Sequence, residues 1–183
     1  MALLNRLRAL VVAVLLVPHL AAAAPSEYQV KAVFLFNFSR FVEWPAAAFA
    51  NASAPLVMCI FGHDPFGAEL DEVVKGEVVN GRPLVIRRIQ EPAQTAECHI
   101  LFIHKSEDRR LGAALSALDH RSTLTVSDVP GVAQRGVMIR LVTEQGRIRL
   151  RINVESARAA NLTISSNLLR SAEIVAQAAN RGR

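Results

Sequence analysis

Two pairs of polar side chains come directly after segments that are predicted to be buried strands. His63 and Asp64 follow the first of these segments, and Ser127 and Asp128 follow the last. Imidazole, carboxylate and hydroxyl groups can transfer protons or hold a polar ligand, and α/β folds bind ligands beyond the carboxyl ends of their strands. Ser127 lacks a surrounding GxSxG motif. The four residues therefore indicate a candidate ligand pocket rather than a catalytic centre, with structural turns and helix caps as the alternative.

The histidines do not have the spacing of metal ligands. His63, His99, His104 and His120 form neither an HExxH motif nor another close pair, and there is no CxxC motif or Cys/His cluster. We interpret them as hydrogen-bonded or surface side chains. The sequence therefore predicts no metal site and no cofactor.

Three arginines recur at every second position near the C-terminus. Arg147, Arg149 and Arg151 alternate with apolar residues in the second arm of a predicted hairpin, so they should share one face of a strand. Such a row could bind an anionic ligand, an acidic partner or a lipid headgroup. A solvated outer face of the sheet is the interpretation that we prefer at this stage.

The first 23 residues have the organisation of a cleaved signal peptide. Arg6 and Arg8 precede an apolar stretch, residues 9–20, and four alanines follow it. Basic, apolar and small residues in this order direct export, and the apolar stretch is too short to span a bilayer easily. We expect cleavage after Ala23; an uncleaved membrane anchor is the alternative.

An exported protein folds under oxidising conditions, which makes its two cysteines informative. Cys59 and Cys98 are the only thiols in the chain. A disulfide between them is the favoured interpretation because disulfides persist in such compartments. Two free thiols or a metal-binding pair are the alternatives.

Length and composition indicate one globular domain over residues 24–183. The chain has 183 residues, of which 51% are hydrophobic and 20% charged, which excludes a disordered chain and a disulfide-dense miniprotein. Removing Arg6 and Arg8 lowers the formal charge from +5 to +3. So small a surplus, spread along the chain, argues against nucleic acid as a partner.

The first predicted helix is apolar around an unusually large part of its circumference. Ser26 can cap a helix over residues 27–42. Its apolar residues recur at helical spacing as Val30, Val33, Phe34, Phe38 and Phe41, and Leu35 and Phe36 widen the stripe. Such a helix is either buried on two sides or covered by a second molecule.

Strands and helices alternate along the rest of the chain. Short apolar runs predict buried strands at 56–61, 83–89, 98–104 and 124–126, and period-two runs predict a hairpin over 138–154. Helices are expected from about residue 66 with Asp64 as N-cap, at 107–118 with Ser106 as cap, and at 154–160 and 166–178. This order predicts a single-domain α/β sandwich, with a mixed, mostly parallel sheet flanked by helices and a C-terminal antiparallel hairpin.

Several segments, taken in order, resemble one known family. The longest are EYQVKAVFLFNFSRFVEWP (27–45), CIFGHDPFGAEL (59–70) and INVESARAANLTISSNLLRSA (152–172). With NGRPL (80–84), CHILFIH (98–104) and LTVSD (124–128), they resemble the YfiR-like family of periplasmic proteins. The resemblance covers nearly all of the chain after residue 23.

This resemblance implies an exported, non-enzymatic protein of the Gram-negative periplasm. Well-understood members repress an inner-membrane diguanylate cyclase by binding its periplasmic sensory part, which lowers cyclic di-GMP and biofilm formation. The resemblance also implies that Cys59 and Cys98 form the structural disulfide and that repression is redox-sensitive. Some members carry a second cysteine pair near the hairpin, but residues 137–151 here contain no cysteine.

The leading hypothesis is therefore a repressor that acts through its surface. The candidate partner-binding residues are Phe34, Phe38, Leu162, Ile164, Ser165, Leu168 and Leu169, with intramolecular core as the alternative for each. An exposed apolar helix would also allow a homodimer. The second hypothesis is a small-molecule sensor or binding protein that acts with another membrane protein and uses the pocket at His63, Asp64, Ser127 and Asp128.

Overall fold

The computed structural model describes residues 25–119 and 121–176 of the chain. The predicted signal peptide, residues 1–23, and His120 lie outside the described residues. Within the described part, no helix has the length and apolar character needed to cross a membrane.

The described residues form five α-helices and ten strands. The helices are α1 (Glu27–Phe41), α2 (Ala68–Val74), α3 (Leu111–Ser116), α4 (Val154–Ala159) and α5 (Ser166–Arg170). The strands are β1 (Val42–Glu43), β2 (Leu56–Phe61), β3 (Val78–Val79), β4 (Arg82–Ile89), β5 (Ile100–Ile103), β6 (Leu124–Ser127), β7 (Ile139–Glu144), β8 (Arg147–Ile152), β9 (Thr163–Ile164) and β10 (Ala172–Ile174). Short 3-10 helices connect several of them.

Eight strands form one mixed sheet in the order β10-β8-β7-β6-β5-β2-β4-β3. The five strands from β7 to β4 in this order are parallel to one another, and β10 is parallel to β8. The pairs β7–β8 and β3–β4 are antiparallel. This architecture confirms the predicted α/β class with a mostly parallel sheet and a C-terminal hairpin.

The central strands are buried on both faces, which explains their continuous apolar sequences. β2 directs Met58 and Ile60 into one core cluster and Cys59 and Phe61 into the other. The first cluster lies under α1, whose Phe38 is fully buried in it, and the second lies under α3. Parallel strands covered by helices on both faces have this uniform burial.

The hairpin between β7 and β8 turns over two residues. Gln145 and Gly146 have φ values of +51° and +72°, and Glu144 pairs with Arg147 across the turn. Two successive left-handed residues match the twist of the flanking strands, which is why such turns dominate short hairpins. The turn fixes the register that places the arginines of β8 on one face.

The predicted C-terminal helix over residues 166–178 is wrong in its second half. Helix α5 ends at Arg170, and β10 then runs beside β8 with Ala172 opposite Leu150. Without β10, strand β8 would be an edge with unpaired backbone groups. Pairing with β8 therefore outweighs the helical preference of this segment, and residues after 176 lie outside the described part.

The predicted N-cap of the second helix also needs correction. Gly67 occupies the N-cap position of α2, which begins at Ala68. The Asp64 carboxylate instead accepts hydrogen bonds from the backbone N–H groups of Phe66, at 2.8 Å, and Gly67, at 3.3 Å. Asp64 therefore caps a tight turn that precedes the helix, because an aspartate side chain mimics a backbone turn.

Candidate functional site

The carboxyl ends of β2, β5 and β6 bring two histidines together. The chain passes from β2 to β4 on one side and then to β5 on the other, which makes this edge the topological switch point of the sheet. His63 follows β2 and is exposed, whereas His104 follows β5 and is buried. Their ring centroids lie 5.2 Å apart. Within residues 25–119 and 121–176, no group of three or more His, Cys, Asp or Glu side chains could hold a metal ion.

His104 has a structural role in this edge. Its Nδ1 accepts a hydrogen bond from the backbone N–H of Ser106 at 3.1 Å and begins the 3-10 helix Lys105–Arg110. The helix predicted over 107–118 with Ser106 as cap is thus a 3-10 turn followed by α3, and the cap is His104. Burial lowers the pKa of His104, so the ring is neutral at pH 7.

Three of the four predicted ligand-binding residues are engaged in structural bonds, Asp64 and Ser127 among them. The Asp64 carboxylate accepts a hydrogen bond from Arg88 Nε at 2.6 Å. Ser127 is fully buried; its Oγ donates to the carbonyl oxygen of Ile103 at 2.7 Å and accepts from the N–H of Val129 at 3.2 Å. Ser127 therefore has no surface to offer a ligand, and its hydroxyl joins β5 to the loop after β6.

Asp128, the fourth predicted residue, is the centre of a buried ionic cluster. Its Oδ2 accepts from the Tyr28 hydroxyl and from Lys31 Nζ, each at 2.9 Å. The side chains of Lys31 and Asp128 are only 3% and 5% exposed, and Lys31 also contacts Glu27 at 2.5 Å. Burial and the Asp128 charge raise the pKa of Tyr28, while the Lys31 ammonium lowers the pKa of Glu27. These contacts hold the start of α1 on the sheet.

Sequence reasoning missed Lys31, although a signal for it exists. Lys31 stands four residues before Leu35 and seven before Phe38, both of which are fully buried. Residues at this spacing share one face of a helix. A lysine on the buried face requires a buried anion, and Asp128 supplies it.

A large cavity lies at the opposite edge of the sheet, near the amino ends of the strands. It has a volume of about 680 Å³ and is lined in part by Arg87, Cys98, His99, Arg121 and Asn161. A second cavity of about 590 Å³ adjoins it, because Arg121 and Thr123 line both. None of the four predicted ligand-binding residues lines either cavity.

His99 beside this cavity is fully hydrogen-bonded, as the sequence predicts for a structural histidine. Its Nδ1 accepts from the N–H of Val57 at 3.1 Å, and its Nε2 donates to the carbonyl oxygen of Ala48 at 3.1 Å. The ring stacks on Phe49 with centroids 4.4 Å apart. Burial lowers the pKa of His99. The neutral ring therefore holds the segment before β2 against the sheet.

Cys59 and Cys98 are joined in a disulfide within the second core cluster. Cys59 is in the middle of β2, and Cys98 lies just before the adjacent β5; their Cα atoms are 5.7 Å apart. Both residues are buried. The covalent bond therefore connects two neighbouring parallel strands near the larger cavity.

The two segments of predicted partner contacts are paired with each other. β1, which continues α1, forms a two-stranded antiparallel sheet with β9, and Val42 lies opposite Ile164. The N–H of Ser165 donates to the carbonyl oxygen of Phe41 at 2.9 Å. The Ser165 hydroxyl accepts from the N–H of Leu168 and caps α5. The sequence did not predict this pairing of distant segments.

Burial limits which of the predicted contacts can reach a partner. Most of them pack in the first core cluster: Phe38, Leu162, Ile164 and Leu168. These four side chains belong to the hydrophobic core and are not available to a partner. Phe34, Ser165 and Leu169 remain partly exposed.

An apolar stripe remains on the outer side of α1. Val33 is 47% exposed and Phe41 36%, and the neighbouring Val30 and Phe34 are half-buried. We call these four residues the outer stripe. The sequence left open whether α1 is buried on two sides, and the structure shows burial on one side only. The outer stripe can therefore contact a second molecule.

Comparison with known proteins places the chain in a family. A family model described as YfiR/HmsC-like matches residues 28–173, which extend from the first turn of α1 into β10 and include the disulfide and the hairpin. A search of curated proteins gave no match. Members of this family are periplasmic regulators rather than enzymes. The chain belongs to the YfiR/HmsC-like family.

Proposed function

We propose that this protein is a periplasmic repressor that binds the periplasmic sensory part of an inner-membrane diguanylate cyclase. In holding the cyclase inactive, it lowers cyclic di-GMP and biofilm formation. The observation that carries the proposal is the outer stripe of α1, where Val33 and Phe41 expose apolar surface. Family membership supports a regulatory role, and a buried disulfide suits an oxidising compartment.

Repression sets a thermodynamic condition on this contact. The repressor must bind the inactive state of the cyclase more tightly than the active state, because equal affinity for both states shifts nothing. Moving a two-state equilibrium from about 1:99 to about 99:1 takes roughly a 10⁴-fold difference in affinity. A rigid apolar surface can provide such a difference if only the inactive state presents a complementary groove.

The surface around the outer stripe has the rigidity that this task needs. The ionic cluster of Lys31 and Asp128 holds the start of α1, and the β1–β9 pairing holds its end. Leu169 on α5 is partly exposed, and Ser165 next to α5 is bonded to Phe41. We therefore expect the outer stripe and Leu169 to form one contact surface.

The test replaces exposed apolar residues in two places. In cells that carry the cyclase, the Val33→Glu/Phe41→Glu variant should raise cyclic di-GMP to the level of a deletion and should no longer co-purify the cyclase. The matched control is Val78→Glu/Val85→Glu at the β3–β4 edge, where the two valines are 60% and 38% exposed. The control should repress like the wild type.

Two results would contradict the proposal. If deletion of the gene for this protein left the level of cyclic di-GMP unchanged, the cyclase would not be its target. An outer-stripe variant that folds and still represses would remove α1 as the contact. Thermal melting of each purified variant shows whether it is folded.

A small-molecule sensor is the second candidate, and the cavity of about 680 Å³ favours it. Arg87 and Arg121 line its walls, which also contain several alanines. The predicted pocket at His63, Asp64, Ser127 and Asp128 is the other candidate location, and His63 is the exposed residue of the four. A ligand that binds only the folded state raises the melting temperature by mass action. A thermal-shift screen of nucleotides, amino acids and sugars with no shift would count against this candidate.

A further inference from the structure

Four arginines form one face of the C-terminal hairpin. Arg147, Arg149 and Arg151 alternate along β8, and Arg140 of β7 lies directly opposite Arg151. Leu150, between two of these arginines, belongs to the core cluster under α1. Because side chains alternate between the faces of a strand, the arginines lie on the side away from α1. We call Arg140, Arg147, Arg149 and Arg151 the arginine face.

The acidic residues of this face are all engaged by one arginine. Arg151 Nε contacts Glu173 at 2.9 Å, and its NH2 group contacts Glu144 at 3.1 Å. Arg147 and Arg149 are exposed, and neither forms an ion pair with another residue of the described chain. The face therefore carries a local excess of positive charge that the described residues neutralise only in part.

Arg140 adds a hydrogen-bond donor that lacks an acceptor. Its Nε atom is buried and has no hydrogen-bond partner among the described residues. Desolvation and the neighbouring Arg151 lower the pKa of Arg140. A buried donor without an acceptor costs free energy, and the charge of Arg140 next to Arg151 adds to the positive charge of this face.

The shape of the face favours an extended anionic surface over a small ligand. Four cavities of about 250 to 680 Å³ among the described residues have no arginine of this face in their walls. Arg147 and Arg149 stand two residues apart on a strand, so their Cα atoms are separated by about 7 Å. Guanidinium groups spread over an open sheet can each bind a different phosphate, and each can do so with two hydrogen bonds.

We infer that the arginine face binds the anionic phospholipid headgroups of a membrane surface. Each basic residue close to such a surface strengthens binding about fivefold. Arg147 and Arg149 alone would then strengthen binding roughly 25-fold, and Arg140 adds to this. Binding of this size is reversible and depends on salt, because ions screen exposed charges. The inference does not depend on the proposed cyclase partner.

The experiment measures co-sedimentation of the purified chain, without its first 23 residues, with lipid vesicles. The wild type should bind phosphatidylglycerol-containing vesicles, and high salt should release it. The Arg147→Glu/Arg149→Glu variant should bind at least about 25-fold more weakly. The matched control, Arg109→Glu/Arg158→Glu, changes the net charge equally at two exposed arginines outside the face and should retain most of the binding.

Three results would overturn the inference. Equal binding to neutral phosphatidylcholine vesicles would show that headgroup charge is not recognised. Equal losses in the two double variants would show that net charge alone is responsible. Binding of polyglutamate through the arginine face, without binding to vesicles, would assign the face to an acidic protein. No cyclase is present in the assay, so its outcome is separate from that of the proposed function.

Discussion

The two ends of the parallel strands are fastened in different ways. At the carboxyl end, α1 is held by charges: Lys31 and Asp128 form a buried ion pair, to which Tyr28 adds a hydrogen bond. Near the amino end, the two corresponding contacts carry no charge. The disulfide joins Cys59 of β2 to Cys98 before β5, and the neutral His99 ring holds the segment before β2. The carboxyl end is where α/β folds usually place ligands.

This difference shows that polar residues at a strand end need not form a reactive site. Asp128 and Ser127 have the residue types of a ligand site, but the chain uses both for its own hydrogen bonds. The two cavities of about 680 and 590 Å³ lie near the amino end of the strands, and Cys98 of the disulfide lines the first of them. The two ends can be tested separately, because each fastening depends on a few side chains.

The largest effect should come from removing the covalent link. Replacement of Cys59 and Cys98 by alanine opens a loop with a sequence separation of 39. The loss of loop constraint should lower the free energy of unfolding by about 4 kcal/mol. Urea denaturation measures the free energy of unfolding, and the wild type with its disulfide reduced is the control. A loss below about 1 kcal/mol would show that the sheet holds its amino end without the disulfide.

The second largest effect is expected at the carboxyl end of the strands, from a substitution of Lys31. Lys31→Met leaves the Asp128 carboxylate buried without its cation, and the free energy of unfolding should fall by about 3 kcal/mol. The Lys31→Met/Asp128→Asn variant should recover part of this loss because no buried charge remains. Equal stability of the two variants would mean that the charge pair does not hold α1.

A smaller effect should appear on acidification. Burial lowers the folded-state pKa of His99 below its usual 6.5, so protons bind the unfolded state more readily. The stabilisation is fully present above pH 6.5 and is lost as the pH falls toward the folded-state value. His99→Gln should flatten the profile of melting temperature between pH 7 and pH 5. Burial lowers the pKa of His104 as well, so His104→Gln tests the carboxyl end.

The smallest effect should come from the exposed partner of Lys31. The Glu27 side chain is 44% exposed, so Glu27→Gln should lower the free energy of unfolding by less than about 1 kcal/mol. Salt should reduce the effect further. A loss as large as that of Lys31→Met would place the anchor of α1 at Glu27 rather than at Asp128.

Local patterns were sufficient to predict most of the fold. The apolar run 56–61 matches β2, and the helix predicted over 27–42 ends within one residue of the observed α1. Ser26 caps α1 as predicted. The alternation of arginines with apolar residues predicted β8 and its two faces. These patterns repeat over several residues, so a single ambiguous position does not change the interpretation.

Pairings between distant segments could not be predicted in this way. β10 and the β1–β9 pair are two or three residues long, and each forms because a partner strand lies beside it. The burial of Phe38, Ile164 and Leu168 follows from the same packing. The Lys31–Asp128 pair joins residues 97 positions apart, and no local pattern contains both.

The Cys59–Cys98 bond has a consequence for proteolysis. The residues between the two cysteines include α2, β3, β4 and the turn at Asn80 and Gly81, which is exposed. Exposed turns are preferred sites of nicking. A protease that cuts once at this turn leaves two fragments tethered to each other, so a nicked molecule migrates as a single species on a gel until a reductant separates the halves.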